Sequence, residues 1–397
     1  MSWLPGICCC DTSSLGANSS NVGEYTSIDR QLAPSAQEQE ERVEPSAATH
    51  QRQFAELAGS LHPEGNLAFE EIYALEAVVA AGAFGSHKTT WIANRIKPIS
   101  TADNIVAVKE YKNVSADNAA SIIHEVQLLK DMHHQSIVRC IDFFSNSAEP
   151  STKHLVMEFV EGGRLYDSIV AHGHYDEETA RRTVANLADV LCYLSQQRVI
   201  FRDLKPENIL LVRKDDLSTI KLCGFSFAAK LEVGQVTTHG KWYTAGYSAP
   251  EILRSQRYSV EVDVFSFGVV AYILLTGCIP WSEETWEDDD ALNAAVLAGE
   301  AKFYAEDWEP LSFNARHFVE RALANDRNER PTIEEMKEHP WLQPAIHWFG
   351  NPWVSRAAWA VKKNTSRLVN RSRQAYPAPQ NISYDRNDEN RPLMGPA

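Results

Sequence analysis

The chain has 397 residues, 44% of them hydrophobic and 23% charged, with 53 acidic against 38 basic side chains and a formal net charge of −15. This is a globular composition, long enough for two or three compact units, and it excludes collagen-like, wholly disordered and disulfide-stapled small architectures. The acidic balance argues against nucleic acid as a partner, because such binding draws its affinity from neutralising phosphates.

Residues 1–68 are rich in Ser, Ala, Gln, Glu and Asn and read as a disordered N-terminal region, with one short helix near 50–59. The seven cysteines are an odd number and three are consecutive, which is no disulfide framework and points to a reducing, cytoplasmic setting. The opening MSWLPGICCC lacks a basic start and a long apolar run, so no signal peptide is expected, and no stretch reaches the about 18 apolar residues of a membrane span. Ser2 excludes N-myristoylation, whereas Cys8, Cys9 and Cys10 beside Trp3 and Ile7 suit S-acylation and peripheral membrane attachment. Strand-length apolar runs follow, IVAVK (105–109) and HLVMEF (154–159), and from about 163 the pattern is mostly helical, as in ETARRTVANLADVLCYLSQQ (178–197). A strand-rich part (72–160) and a helix-rich part (161–342) predict two lobes of one unit ending at HPWL. The tail, 343–397, is basic and carries tryptophans, with Trp353, Ala357, Val361 and Leu368 on one helical face before a Pro/Asn-rich end.

Several short segments carry chemistry. AAGAFGSHK (80–88) lies between strand-like runs, and Gly82 and Gly85 let a backbone approach phosphates; an ordinary turn is the other reading. VAVK (106–109) ends an apolar strand on Lys109, and HEVQLL sets Glu125 on a helical pattern. If that helix faces the strand, the two pair and hold the lysine at a phosphate. VIFRDLKPENILL (199–211) brings Asp203, Lys205 and Asn208 together. They offer a carboxylate to accept a hydroxyl proton, a cation for a γ-phosphate and an amide oxygen for Mg²⁺.

In this order and spacing the segments resemble the eukaryotic protein kinases over about residues 72–342. The resemblance implies an α+β, bilobal fold, a small antiparallel β lobe plus a larger helical lobe, with ATP and Mg²⁺ or Mn²⁺ between them. Ala107, Lys109 and Glu125 fall in its nucleotide site. LVMEFVEGG (155–163) resembles the hinge, with Met157 as gatekeeper, the Glu158 carbonyl and Val160 backbone bonding adenine, and Leu210 flooring the ring. FRDLKPEN is similar to the catalytic loop, with Asp203 as base and Lys205 at the γ-phosphate. SAPE (248–251) resembles the end of the activation segment, and DVFSFG (263–268) and RPT (330–332) match later motifs, implying that Asp263 braces the catalytic loop and Arg330 pairs with Glu251. LKPEN and Thr244 indicate the serine/threonine branch, and HPWL is similar to the calcium/calmodulin-dependent group.

One departure stands out. Where the family has Asp-Phe-Gly, this chain reads Gly224-Phe225-Ser226, so the metal-bridging aspartate is absent and metal binding is expected to be weak or lost. Ala80, His87, Arg164, Phe201 and Ser226 are milder departures, and Phe201 is expected to stack with Phe225, Leu129 and Cys140. Two functions follow: a serine/threonine kinase with weak or metal-unusual activity, or a pseudokinase acting as scaffold or allosteric partner. Protein substrates are expected in the first case, with Glu207 and the acidic run EETWEDDD (283–290) selecting basic peptides. Thr237 and Thr238 are candidate phosphorylation sites opposite Arg202. The tail, 346–373, suits calmodulin, an anionic membrane or packing on the large lobe.

Overall fold

The computed structural model describes residues 47–61, 68–81, 88–96, 104–145, 149, 151–238, 243–286 and 288–343. Five strands, β1 (Tyr73–Ala81), β2 (Lys88–Arg95), β3 (Ile105–Tyr111), β4 (Cys140–Phe144) and β5 (Lys153–Glu158), form an antiparallel sheet in the order β1-β2-β3-β5-β4. The alternation of IVAVKEY sorts its side chains onto two faces. Val106 and Val108 are fully buried with Ala93, Phe144 and Val156 beneath Phe69 and Ile72, which belong to a single helical turn at 69–72. Ala107, Lys109 and Tyr111 share the opposite face, towards the helix Ala116–Asp131 that joins β3 to β4.

The chain after β5 is mainly helical. Glu177–Gln196 presents Ala180, Val184, Leu187, Leu191 and Leu194 to the core, a stripe of period 3.6, and starts on Asp176, whose carboxylate accepts the Thr179 N–H. The helix Glu261–Thr276 is buried from Val262 to Thr276, as its apolar sequence requires. Two short antiparallel pairs lie between: Ile209–Arg213 forms a hairpin with Asp216–Leu222, and Val199–Ile200 pairs with Ala229–Lys230 around it. They frame the catalytic segment. A β sheet with one long helix, followed by a helical body, is the α+β, two-lobed architecture that the sequence predicts. No helix among the described residues is long and apolar enough to cross a membrane.

The short helix expected near 50–59, in a region 1–68 otherwise read as disordered, is longer than the sequence indicates. Residues Ala47–Leu61 form a four-turn helix rather than a short one, and it is docked. Phe54 and Leu57 are buried in the main core, and Ala58 and Leu61 pack against it. Phe54 stacks on Phe143 of β4 with ring centroids 5.9 Å apart, the Lys153 ammonium lies 5.7 Å over its ring, and Lys130 donates to Ser60 Oγ at 2.7 Å. The polar composition of the segment conceals an apolar stripe that the sheet and the helix 116–131 cover. Phe54→Ala removes most of that burial, worth about 2 kcal/mol. Amide exchange over 47–61 is expected to accelerate while exchange in 261–276 stays unchanged; equal protection of 47–61 in the variant and the wild type would contradict the docking.

Candidate active site

Lys109 leaves β3 on the face turned to the helix 116–131, and Glu125 leaves that helix towards the sheet. Their side chains meet at 2.6 Å, Lys109 Nζ to Glu125 Oε1. Glu125 is only 2% exposed. Burial pushes its carboxyl up, but the Lys109 charge and hydrogen bond, with Lys88 and Tyr111, outweigh this and leave it below its ordinary value. The expected pair is therefore formed, with a buried anion fixing the lysine.

The catalytic segment follows Val199–Ile200. Asp203 Oδ1 accepts from Lys205 Nζ at 2.8 Å and from the Thr244 hydroxyl at 2.7 Å, and Lys205 Nζ lies 3.1 Å from Thr244 Oγ1. The three groups form a triangle at the end of the activation segment, as the motifs imply. Arg202 holds a left-handed backbone, φ 69°, a conformation that costs energy for a non-glycine residue. Asp263 stabilises it by accepting the Phe201 N–H at 2.7 Å and the Arg202 N–H at 2.8 Å. Burial pushes the Asp263 carboxyl up to about 6, opposed by those two N–H donors and by Arg202. The Arg202 guanidinium lies 5.4 Å over the Tyr258 ring, and its Nε is buried without a hydrogen-bond partner. Thr238 pairs with Tyr258 through the backbone, and Thr237 Oγ1 accepts from Arg257 at 3.0 Å. Phe201 meets Phe225 edge to face at 5.0 Å, with Leu129 in the same core and Cys140 packed against it.

Asn208 is turned inward. Its Nδ2 donates to the Asp203 carbonyl at 2.7 Å and to Asp203 Oδ2 at 2.8 Å. Its Oδ1 faces Gly224, whose φ is 86°; a Cβ at 224 would come within 2.7 Å of that oxygen. The donor set for a divalent cation is thin. Mg²⁺ is bound through one or two carboxylates plus substrate phosphates. Here position 224 has no side chain, both oxygens of Asp203 have hydrogen-bond partners, and Asn208 offers one neutral oxygen. Among the described residues no group of three His, Cys, Asp or Glu side chains is placed to hold a metal. These residues lack the carboxylate at 224 that the resemblance assigns to the metal.

The remaining expected positions are partly placed. Ala107 lies on the cleft face of β3 opposite Met157 of β5. Glu158 ends β5, where its carboxylate binds Lys221 at 2.8 Å, and Val160 follows it into the link between the lobes. That link is clasped to Ile209–Arg213 by Gly162 N–H to Leu211 O and Leu211 N–H to Gly163 O, with Leu210 half-buried beside it. Arg164 forks onto Asp167 at 2.8 and 2.9 Å. Glu207 Oε2 is buried without a hydrogen-bond partner, and burial pushes its carboxyl up. Gly82, Gly85, the tail 346–373 and Cys8–Cys10 lie outside the described residues.

The contacts of two further residues at the site are not foreseen in the sequence. Ser226 Oγ lies 2.7 Å from Lys109 Nζ and 2.9 Å from Glu125 Oε2, and Tyr111 Oη lies 2.8 Å from the same Oε2. Tyr111 stands two positions after Lys109 on one strand and so shares its face, a signal that periodicity holds. Ser226 is marked in the sequence as a departure, but its contacts are not, since its partners are over 100 residues away.

The model of the protein kinase domain matches residues 94–342 of this chain. This chain is 33% identical over 281 residues to a calcium/calmodulin-dependent protein kinase type 1 of Caenorhabditis elegans, covering 70% of this chain and 77% of that protein. A protein of the same name from Macrobrachium nipponense is 31% identical over 317 residues, covering 79% and 87%. With the ion pair, the catalytic triangle and the braced loop in place, the chain belongs to the protein kinase family, on the serine/threonine side and similar to the calcium/calmodulin-dependent kinases.

Proposed function

We propose that this protein binds ATP between its lobes and transfers the γ-phosphoryl group to serine or threonine hydroxyls of proteins, with little dependence on a divalent metal. The observation that carries this reading is the closed Asp203–Lys205–Thr244 triangle beside an intact Lys109–Glu125 pair, in a site with no carboxylate at 224. Asp203 accepts the proton of the substrate hydroxyl as its oxygen bonds to the γ-phosphorus. The bond to the β-phosphate oxygen breaks, and ADP leaves. Lys205 stands 2.8 Å from that carboxylate and balances charge on the moving phosphoryl group, while Lys109 grips the α- and β-phosphates. The buried, unpartnered Glu207 oxygen and the exposed Glu283, Glu284 and Asp288–Asp290 favour basic peptides as substrates. Phosphate on Thr237 or Thr238 would draw Arg202 from the Tyr258 ring and order the segment. The names of the relatives favour calmodulin as the ligand of the tail, 346–373, and Cys8–Cys10 supply a lipid attachment for a cytoplasmic chain.

The second reading, a pseudokinase scaffold, is favoured by one observation: position 224 carries no carboxylate, which leaves the neutral Asn208 Oδ1 beside it as the oxygen offered to a cation. Labelled ATP, the chain itself and a basic peptide separate the two. Transfer by the wild type is expected to survive chelation of Mg²⁺ and Mn²⁺. Gly224→Asp is expected to lose about 1 kcal/mol of stability, since it strains a left-handed residue and displaces Asn208. The same variant is expected to gain Mg²⁺-dependent transfer, by up to about 10² if the carboxylate recovers one preorganised electrostatic partner. No transfer above an Asp203→Ala background under any condition would leave only the scaffold.

A further inference from the structure

The Ser226 hydroxyl has a partner on each side, accepting from Lys109 Nζ at 2.7 Å and donating to Glu125 Oε2 at 2.9 Å. With the 2.6 Å contact of Lys109 to Glu125 Oε1 these form a closed ring of three groups. Tyr111 adds a fourth, its hydroxyl donating to Oε2 at 2.8 Å. Burial raises the Tyr111 phenol well above its ordinary value, so it stays a donor. Both oxygens of a carboxylate that is 2% exposed are thus engaged, and water does not replace a donor that is lost there.

Ser226 belongs to the short turn Phe225–Phe227 that follows Gly224. Phe225 is fully buried against Phe201, which anchors this turn from below, while the Ser226 hydroxyl anchors it to Lys109 and Glu125 from above. An ammonium has three N–H donors. Glu125 and Ser226 take two in defined directions, which aims the third.

We propose that Ser226 and Tyr111 are positioning residues for Lys109, holding its ammonium where nucleotide phosphates arrive and replacing the order that a carboxylate at 224 would supply. The inference rests on the nucleotide-binding reading above. It places the orientation of Lys109 in side chains rather than in a metal. Tyr111 acts through Glu125 and Ser226 through both partners.

The test is calorimetric titration of the full chain, in chelator, with ATP and separately with adenosine. Adenosine carries no phosphate and reports the adenine pocket and the fold. Ser226→Ala is expected to weaken ATP binding about tenfold, the worth of a hydrogen bond to a charged group, and Tyr111→Phe by a few-fold. Adenosine affinity is expected to hold in both, and Ser226→Thr, which keeps the hydroxyl, is expected to restore ATP binding. Equal losses for ATP and adenosine would mean that the residues only support the fold, and would overturn the inference. So would variants that bind ATP as the wild type does. A wild type that binds adenosine but gains nothing from the phosphates of ATP would overturn the inference while leaving the pocket; one that binds neither ligand would overturn the nucleotide-binding reading, and the inference with it.

Discussion

Asp203→Ala is expected to lower phosphoryl transfer by about 10²–10⁴ while ATP affinity stays as it was. The reason lies in the separation of two groups of contacts. Asp203 binds Lys205, Thr244 and Asn208, at 2.8, 2.7 and 2.8 Å. Lys109 belongs to the other group, with Glu125 and Ser226. Removing the Asp203 carboxylate takes away the proton acceptor but leaves Lys205 beside Thr244 and Asn208 on the Asp203 carbonyl. The phosphate grip is untouched. Steady-state transfer and a binding titration on the same preparation check both halves. A variant that loses ATP binding as well would show that the two groups act as one. A variant that transfers phosphate at the wild-type rate would remove Asp203 from the chemistry.

How far this site is legible in the sequence depends on the range of the contact. Lys109 and Glu125 lie on elements whose period is plain, so their meeting follows once the helix is laid on the sheet. Asp203, Lys205 and Asn208 are neighbours in the chain, and their juxtaposition costs no inference. The left-handed Gly224 is visible only as a residue type; that Asn208 fills the space beside it is a matter of side-chain geometry. Ser226 is similar. A serine in place of glycine reads as lost freedom, whereas its hydroxyl gains two partners from distant elements. For the helix 47–61 the sequence indicates a short helix near 50–59 but not its full length or its docking. Its Phe54 and Leu57 have the spacing of a buried stripe, but the stripe is short, and the surface it needs is made by elements far along the chain, the helix 116–131 and Phe143 of β4.

Arg330→Ala is expected to destabilise the folded chain by about 3–5 kcal/mol, read as a fall in the urea midpoint. The Arg330 and Glu251 side chains are 0% and 2% exposed. Two guanidinium nitrogens reach the carboxylate at 2.7 and 3.2 Å, and the remaining donors go to the carbonyls of Ala324 and Glu261, with the Phe265 ring 5.1 Å away. Every donor of the fork has an acceptor, and Lys cannot reproduce that geometry. Removing the arginine leaves a buried carboxylate with no counter-charge, and that orphan dominates the loss. Replacing both partners, Arg330→Met with Glu251→Leu, is therefore expected to recover much of it, because an apolar pair leaves no charge behind. A single variant within about 1 kcal/mol of the wild type would mean that water reaches Glu251 after all. The pair also bears on the chemistry. Glu251 lies seven residues after Thr244, and Arg330 ties it to Glu261 at the start of the helix 261–276. That helix carries Asp263, which braces Phe201 and Arg202 beside Asp203. The double variant is expected to fold yet transfer phosphate more slowly, since an apolar contact fixes neither the end of the activation segment nor its register against Asp203.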